Sequence, residues 1–194
     1  LLGSLGATKS ISNIRNYGAV GDGTADDSAA IQSAIDSAAE KIYFPAGTYK
    51  VSTPINLNTP DMELYGEGES SVIKSDDVVF KLYQNNISIQ KIRFVNITTP
   101  YLIDRFSDGK GYQPTVNDHD IWEGLSTEQK NQDIGPKIFS FYVDNIKISE
   151  LTGEFLSIVF WDTKNTTVER CHFTAGKNFA AGIAIWKQDP NHIT

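Results

Sequence analysis

An asparagine-led unit recurs three times along this chain. Asn86-Ile-Ser-Ile-Gln-Lys-Ile-Arg-Phe, Asn145-Ile-Lys-Ile-Ser-Glu-Leu-Thr-Gly and Asn165-Thr-Thr-Val-Glu-Arg-Cys-His-Phe align on the leading Asn. The fourth position reads Ile89, Ile148 and Val168, and the seventh reads Ile92, Leu151 and Cys171. At the ninth, Phe94 and Phe173 agree and Gly153 breaks the pattern. Asn145 and Asn165 stand 20 residues apart, a length suited to one coil of a solenoid. A coil of that size cannot bury its own apolar face, so it stacks on neighbours and its equivalent residues form columns. This predicts short parallel strands about 4.8 Å apart, with the fourth and seventh positions in two interior columns. The leading Asn suits a sharp corner between sheets, because Asn tolerates left-handed backbone angles. Two roles fit these asparagines: a stacked corner ladder, or contacts to sugar.

Upstream of the repeat, Tyr17-Gly-Ala-Val-Gly-Asp-Gly-Thr-Ala-Asp-Asp leads into a helix. Ala30, Ile31, Ala34, Ile35 and Ala38 recur at helical spacing, which predicts a helix from about Asp27 to Ala39. Thr24 or Asp26 can accept from the open N–H groups of its first turn, and an Asp pair suits the positive end of the helix dipole. Short strands follow at Ile42-Tyr-Phe, Thr48-Tyr-Lys-Val, Met62-Glu-Leu-Tyr and Ser71-Val-Ile-Lys, with a turn at Gly66-Glu-Gly68. A sandwich also gives many short strands; the repeat is what separates the two architectures.

The first and second units are 59 residues apart. One ordinary coil leaves an insertion, which composition locates at 99–137, a polar and strand-poor stretch. With Tyr112, Ile121, Trp122, Leu125 and Ile134 to bury, it reads as an ordered fin. Asn191-His-Ile-Thr194 begins another unit and stops, so the C-terminal coils are expected to be missing. Residues 1–15 read as a linker from an upstream domain, with 16–194 as the solenoid. The net charge of −7 argues against a nucleic-acid partner, which needs a basic patch. No apolar run approaches the roughly 18 residues that would cross a bilayer. Cys171 is the single cysteine, so no internal disulfide forms.

The stretch from Asn16-Tyr-Gly-Ala-Val-Gly-Asp-Gly to Ala34-Ile35, followed by Ile42-Tyr-Phe-Pro-Ala-Gly-Thr-Tyr, resembles the entrance of pectate-lyase-like β-helix proteins. Gly111-Tyr-Gln-Pro-Thr-Val-Asn-Asp, with the coil around Cys171-His-Phe, resembles the tailspikes of short-tailed phages of enteric bacteria. The resemblance implies an all-β fold, a right-handed single-stranded parallel β-helix with a short N-terminal capping helix. It implies a homotrimer on a virion tail or baseplate, acting at the host cell surface on O-antigen or capsule. The full-length protein is then expected to be a glycoside hydrolase whose Asp and Glu pair lies on coils beyond Thr194. A polysaccharide lyase or pectinase of the same fold, and a non-catalytic trimeric adhesin, are the alternatives.

Within the chain no acidic pair identifies itself as the two carboxyls that glycoside hydrolysis needs. Asp26-Asp27 reads as a helix cap, and Asp76-Asp77 as a turn. Asp118, Asp120 and Glu123 lie beside Trp122 in the fin, where hydrogen-bonding competes with chemistry as their role. No cofactor or metal is expected: Asp22-Gly-Thr-Ala-Asp-Asp lacks EF-hand spacing, and His119, His172 and His192 lack zinc spacing. Cys171 falls at an inward position and reads as core. Aromatics are the lead for saccharide binding, since indole and phenol faces pack on sugar C–H faces. If Ile158, Phe160, Ile183 and Ile185 point inward, strand alternation exposes Trp161 and Trp186 on neighbouring coils. With Trp122, these are the candidate substrate-binding residues; fin packing or a trimer contact explains them equally well.

Overall fold

Every strand pairing among the described residues of the computed structural model is parallel. Those residues are 10–37, 39–97, 136–154, 156–174 and 182–186. Each coil contributes three runs of strand. The first face stacks β1 (Ile11–Asn13), β3 (Lys41–Tyr43), the start of β6 (Glu63–Lys74), the start of β8 (Ser88–Val95), β10 (Lys147–Ser149) and β13 (Thr167–Glu169). The second continues the same sheet through β2 (Asp22–Asp26), β4 (Gly47–Lys50), the ends of β6 and β8, β11 (Thr152–Glu154) and β14 (His172–Thr174). The third is a separate sheet of β5 (Ile55–Leu57), β7 (Val78–Leu82), β9 (Lys137–Phe141), β12 (Ser157–Trp161) and β15 (Gly182–Trp186).

The register is the one the repeat predicts. Ile148 pairs with Ile89 on one side and Val168 on the other. Ile89, Ile92, Ile148 and Leu151 are buried, while Val168 and Cys171 are partly buried and pack against the same core. Gly153 takes the place between Phe94 and Phe173. A Cβ there would meet Leu156 Cβ at 2.5 Å, so the Leu156 side chain already fills the space next to this position. Edge-to-face contacts between Phe44 and Phe80 and between Phe80 and Phe94 carry the core across coils.

The corners turn on left-handed residues. Asp61, Asn86, Asn145 and Asn165 have φ between 52° and 61°. Asn86 Nδ2 donates to Asp61 Oδ1 at 2.7 Å, and Asn145 Nδ2 donates to Asn86 Oδ1 at 2.8 Å. The asparagines are thus a ladder: the side-chain bonds run along the stack from coil to coil.

Helix α1 (Ser28–Asp36) closes the first coils with Ile31, Ala34 and Ile35 buried. It is shorter than expected at its C-terminal end; Ser37 is its last cap, donating to Ala34 O at 2.6 Å. Asp26, not Thr24, holds the first turn, accepting from Ser28 N at 3.1 Å and Ser28 Oγ at 2.5 Å. Buried Asp27 instead pins the approach loop, accepting from Val20 N at 2.6 Å and Gly21 N at 3.1 Å. Arg15 ties that loop to the next by donating to Val20 O and Ala46 O, both at 2.9 Å. The opening motif is therefore a structural clamp.

Two expectations change. β1 and the start of the 3₁₀ turn Ile14–Tyr17 lie within the stretch read as linker, and Ile14 is fully buried. The fold therefore starts before residue 16, because β1 completes the edge of the first face by pairing with β3. The turn at Gly66-Glu-Gly68 is a bend inside the continuous β6, with two register shifts against β8. There Ser71 Oγ donates to Phe44 O at 2.7 Å and accepts from Glu67 N at 2.8 Å. The fin at 99–137 falls outside the described residues except Pro136 and Lys137, as does the unit begun at Asn191.

Candidate functional site

Side chains alternate along β9 and β12, so one row of each strand faces out. Phe141, Trp161 and Trp186 are register partners on three successive coils. Tyr83, one residue beyond β7, extends the row by stacking on Phe141 with centroids 5.6 Å apart and planes 15° apart. Phe141 also stacks on Phe139, at 5.8 Å and 8°. The two tryptophans expected to neighbour each other therefore hold paired backbone positions on adjacent strands. Trp161 is half-buried rather than fully exposed, and the side chain of Trp186 lies outside the described residues. Ile158 and Phe160 are buried as expected. Ile183 is not: it stands over Ile158, but β15 is the outermost described strand of its sheet, and 48% of the residue is open.

The outer side of the first two faces is charged, and its groups are spent on one another. Lys41 Nζ lies 2.6 Å from Glu63 Oε2, and Gln90 Nε2 donates to Glu63 Oε1 at 2.5 Å. Lys147 and Arg170 each lie 3.1 Å from Glu169 Oε1, and Arg170 reaches Glu150 at the same distance. Glu69 accepts from Thr152 Oγ1 at 2.6 Å and faces Arg93 at 3.5 Å. Glu67 accepts from the Tyr43 hydroxyl, and Tyr43 stacks on Tyr65 at 5.1 Å.

Hydrolysis requires one carboxyl held protonated. Three carboxyls move the other way. The Lys147 hydrogen bond, with Arg170 nearby, lowers Glu169. The Ser28 hydroxyl lowers Asp26, and the backbone N–H of Thr24 lowers Asp22. An open trough between α1 and the stretch 53–58 around β5 also consumes its own polar groups. Gln32 Nε2 donates to Asp36 Oδ1 at 2.9 Å, and Gln32 Oε1 accepts from Asn56 N at 2.8 Å. Asp76 and Asp77 accept from Ile97 N and Val78 N at a turn, in keeping with their reading. Burial pushes the Cys171 thiol up, away from a nucleophile. His172 is exposed. Trp122, Asp118, Asp120, Glu123, His119 and His192 lie outside the described residues.

The sequence reading missed Tyr83 and Tyr142, both exposed. The signal was present: each stands three positions before a ladder asparagine, Asn86 and Asn145.

Comparison with known proteins places this geometry in a family. Mannuronan C5-epimerase AlgE5 of Azotobacter vinelandii is 52% identical over 44 residues, 21% of this chain and 4% of its own length. The surface adhesin PfbA of Streptococcus pneumoniae has a crystal structure similar over 95% of this chain and 41% of its own, with 20% identity and a TM-score of 0.60. A family 28 exopolygalacturonase of Yersinia enterocolitica matches 92% of this chain and 41% of its own, with 16% identity and a TM-score of 0.50. This chain thus spans about two fifths of each of those structures. Residues 11–192 match the family described as rhamnogalacturonase A/epimerase, pectate lyase-like, and the chain belongs to that family.

Proposed function

We propose that this chain forms the opening coils of a phage tailspike that binds and depolymerises bacterial surface polysaccharide. The protein acts as a homotrimer at the host surface, joined to the virion tail by an upstream domain. The observation that carries the reading is the row Tyr83, Phe141 and Trp161 on successive coils, with Trp186 the register partner of Trp161 on the next. Parallel stacking repeats an aromatic at every rung, which suits a long repeating glycan lying along the solenoid. A pectate lyase-like fold, with a polygalacturonase and an epimerase among its relatives, supports a polysaccharide as the ligand.

Cleavage is assigned to Asp and Glu residues beyond Thr194, because among the described residues Asp26 caps a helix, Asp27 pins a loop, and Glu63 and Glu169 are held in ion pairs. The same observation favours a binding-only adhesin as the second reading. The test is a panel of O-antigen and capsular polysaccharides from enteric bacteria, probed with the full-length protein. Binding to a subset, weakened several-fold by Trp161→Ala, is expected. Absence of binding to every member, or equal binding to all of them, contradicts the reading.

A further inference from the structure

We propose that Tyr83 and Tyr142 form a saccharide subsite at the end of the aromatic row, at the corner between the third sheet and the asparagine ladder. It deepens the polysaccharide-binding reading and rests on it. Tyr142 directly follows β9, has φ of 52° and is 61% exposed. Left-handed backbone at a bulky residue carries strain, and Asn or Gly would fill a corner at lower cost. Tyr83 precedes its own ladder asparagine by the same three positions and is 43% exposed. Its ring stacks on Phe141, itself stacked on Phe139, so the ring is held in place on its inner side. Neither phenol makes a hydrogen bond among the described residues. Two aromatics with open surface and open hydroxyls thus sit on adjacent coils, Tyr142 one residue past the Phe141 on which Tyr83 stacks.

The surroundings fit sugar better than protein. Gln84 and Asn85 follow Tyr83, and Asp162 lies past Trp161 on the coil after that of Tyr142, where Tyr142 N donates to Trp161 O at 2.9 Å. Asn85 Oδ1 accepts from Asp144 N at 2.8 Å, which leaves its NH2 group for a ligand. Positions 83–85 and 142 are uncharged; the nearby carboxylates are Asp162 and Asp144, the latter accepting from Lys164 N at 3.2 Å. A ring face beside neutral amides and hydroxyls matches the C–H face and hydroxyl rim of a neutral hexose unit. Two rings divided by a polar corner fall short of the few hundred Å² of contiguous apolar surface that marks a protein partner.

The test titrates the full-length protein, wild type and variants, with whichever panel polysaccharide the wild type binds. Tyr142→Ala and Tyr83→Ala are each expected to weaken affinity about tenfold. Tyr83→Phe keeps the stack on Phe141 and is expected to lose about threefold. Thermal unfolding of each variant shows that the fold is intact; Tyr83→Phe and Tyr142→Ala remain informative if Tyr83→Ala unfolds. Wild-type binding that all three variants retain within about twofold overturns the subsite and leaves the polysaccharide reading standing. A wild type that binds no member of the panel overturns both.

Discussion

Asn145 Nδ2 donates to Asn86 Oδ1 at 2.8 Å, although the two stand 59 residues apart in the chain. Both residues are left-handed, so each combines a tolerated backbone angle with a bond to the next coil. The two contributions separate by substitution. Asn145→Gly keeps the angle and loses the side-chain bond, which should cost about 1 kcal/mol. Asn145→Ala loses both and should cost about 2 kcal/mol. Urea unfolding of the two variants measures the difference; equal losses would mean that the angle contributes nothing.

A second prediction concerns the clamp at the chain's opening. Gly21 has φ of 70°, and a Cβ there would lie 2.7 Å from Tyr49 Cε1 and 3.1 Å from Arg15 Nη2. Tyr49 is fully buried and cannot move aside. Gly21→Ala should therefore destabilise by about 2 kcal/mol or more, through backbone strain and overpacking together. Gly68 has the same φ with nothing within 4 Å of its Cβ position, so Gly68→Ala should cost about half as much, from strain alone. Thermal unfolding of the pair checks the ordering.

These two glycines show what was legible in the sequence. The columns through Ile89, Ile148 and Val168 could be read because strand alternation and stacking leave a direct mark on residue type. The role of Asp27 could not, since an acid before a helix reads as a cap, while here it holds the N–H groups of a loop six and seven residues upstream. The start of the fold was misplaced because β1 has only three residues and gains its meaning from pairing with β3. Tyr142 does not show in strand alternation, because it lies one residue past the strand. Trp161 was placed on the correct face, but its burial depends on neighbours that alternation alone does not describe.

Core columns should respond unequally along the stack. Ile148 is fully enclosed between Ile89 and Val168, whereas Val168 is only partly buried. Ile148→Ala should cost about 3 kcal/mol and Val168→Ala about 1 kcal/mol. Chemical denaturation of both variants tests this; a larger loss at Val168 would show that the later coil is more tightly packed than described.

Acid should weaken the fold within a defined window. Asp22, Asp26 and Glu169 all have folded values below their ordinary values of 3.8, 3.8 and 4.5. A depressed carboxyl contributes stability that is fully present above its unfolded value and is lost as pH falls through its folded value. Stability should be level from neutral pH to about 5 and fall below about 4.5. High salt should reduce the part due to Glu169, which faces Lys147 and Arg170 in solvent. Thermal midpoints across pH, at low and high salt, measure both effects. Stability that rises on acidification would contradict the assignment of these three carboxylates.

The most direct measurement is incubation of the full-length protein with smooth lipopolysaccharide or capsule, followed by gel analysis and reducing-end assay. The expected result is collapse of the polysaccharide ladder with new reducing ends, retained at reduced rate by Trp161→Ala through weaker substrate positioning. Asp118→Asn, Asp120→Asn and Glu123→Gln should do no more than that. An unsaturated uronate chromophore would mean a lyase, binding without cleavage would mean an adhesin, and loss of turnover in one folded amide variant would move the chemistry into this chain. Any of the three would contradict a hydrolase whose catalytic pair lies beyond Thr194.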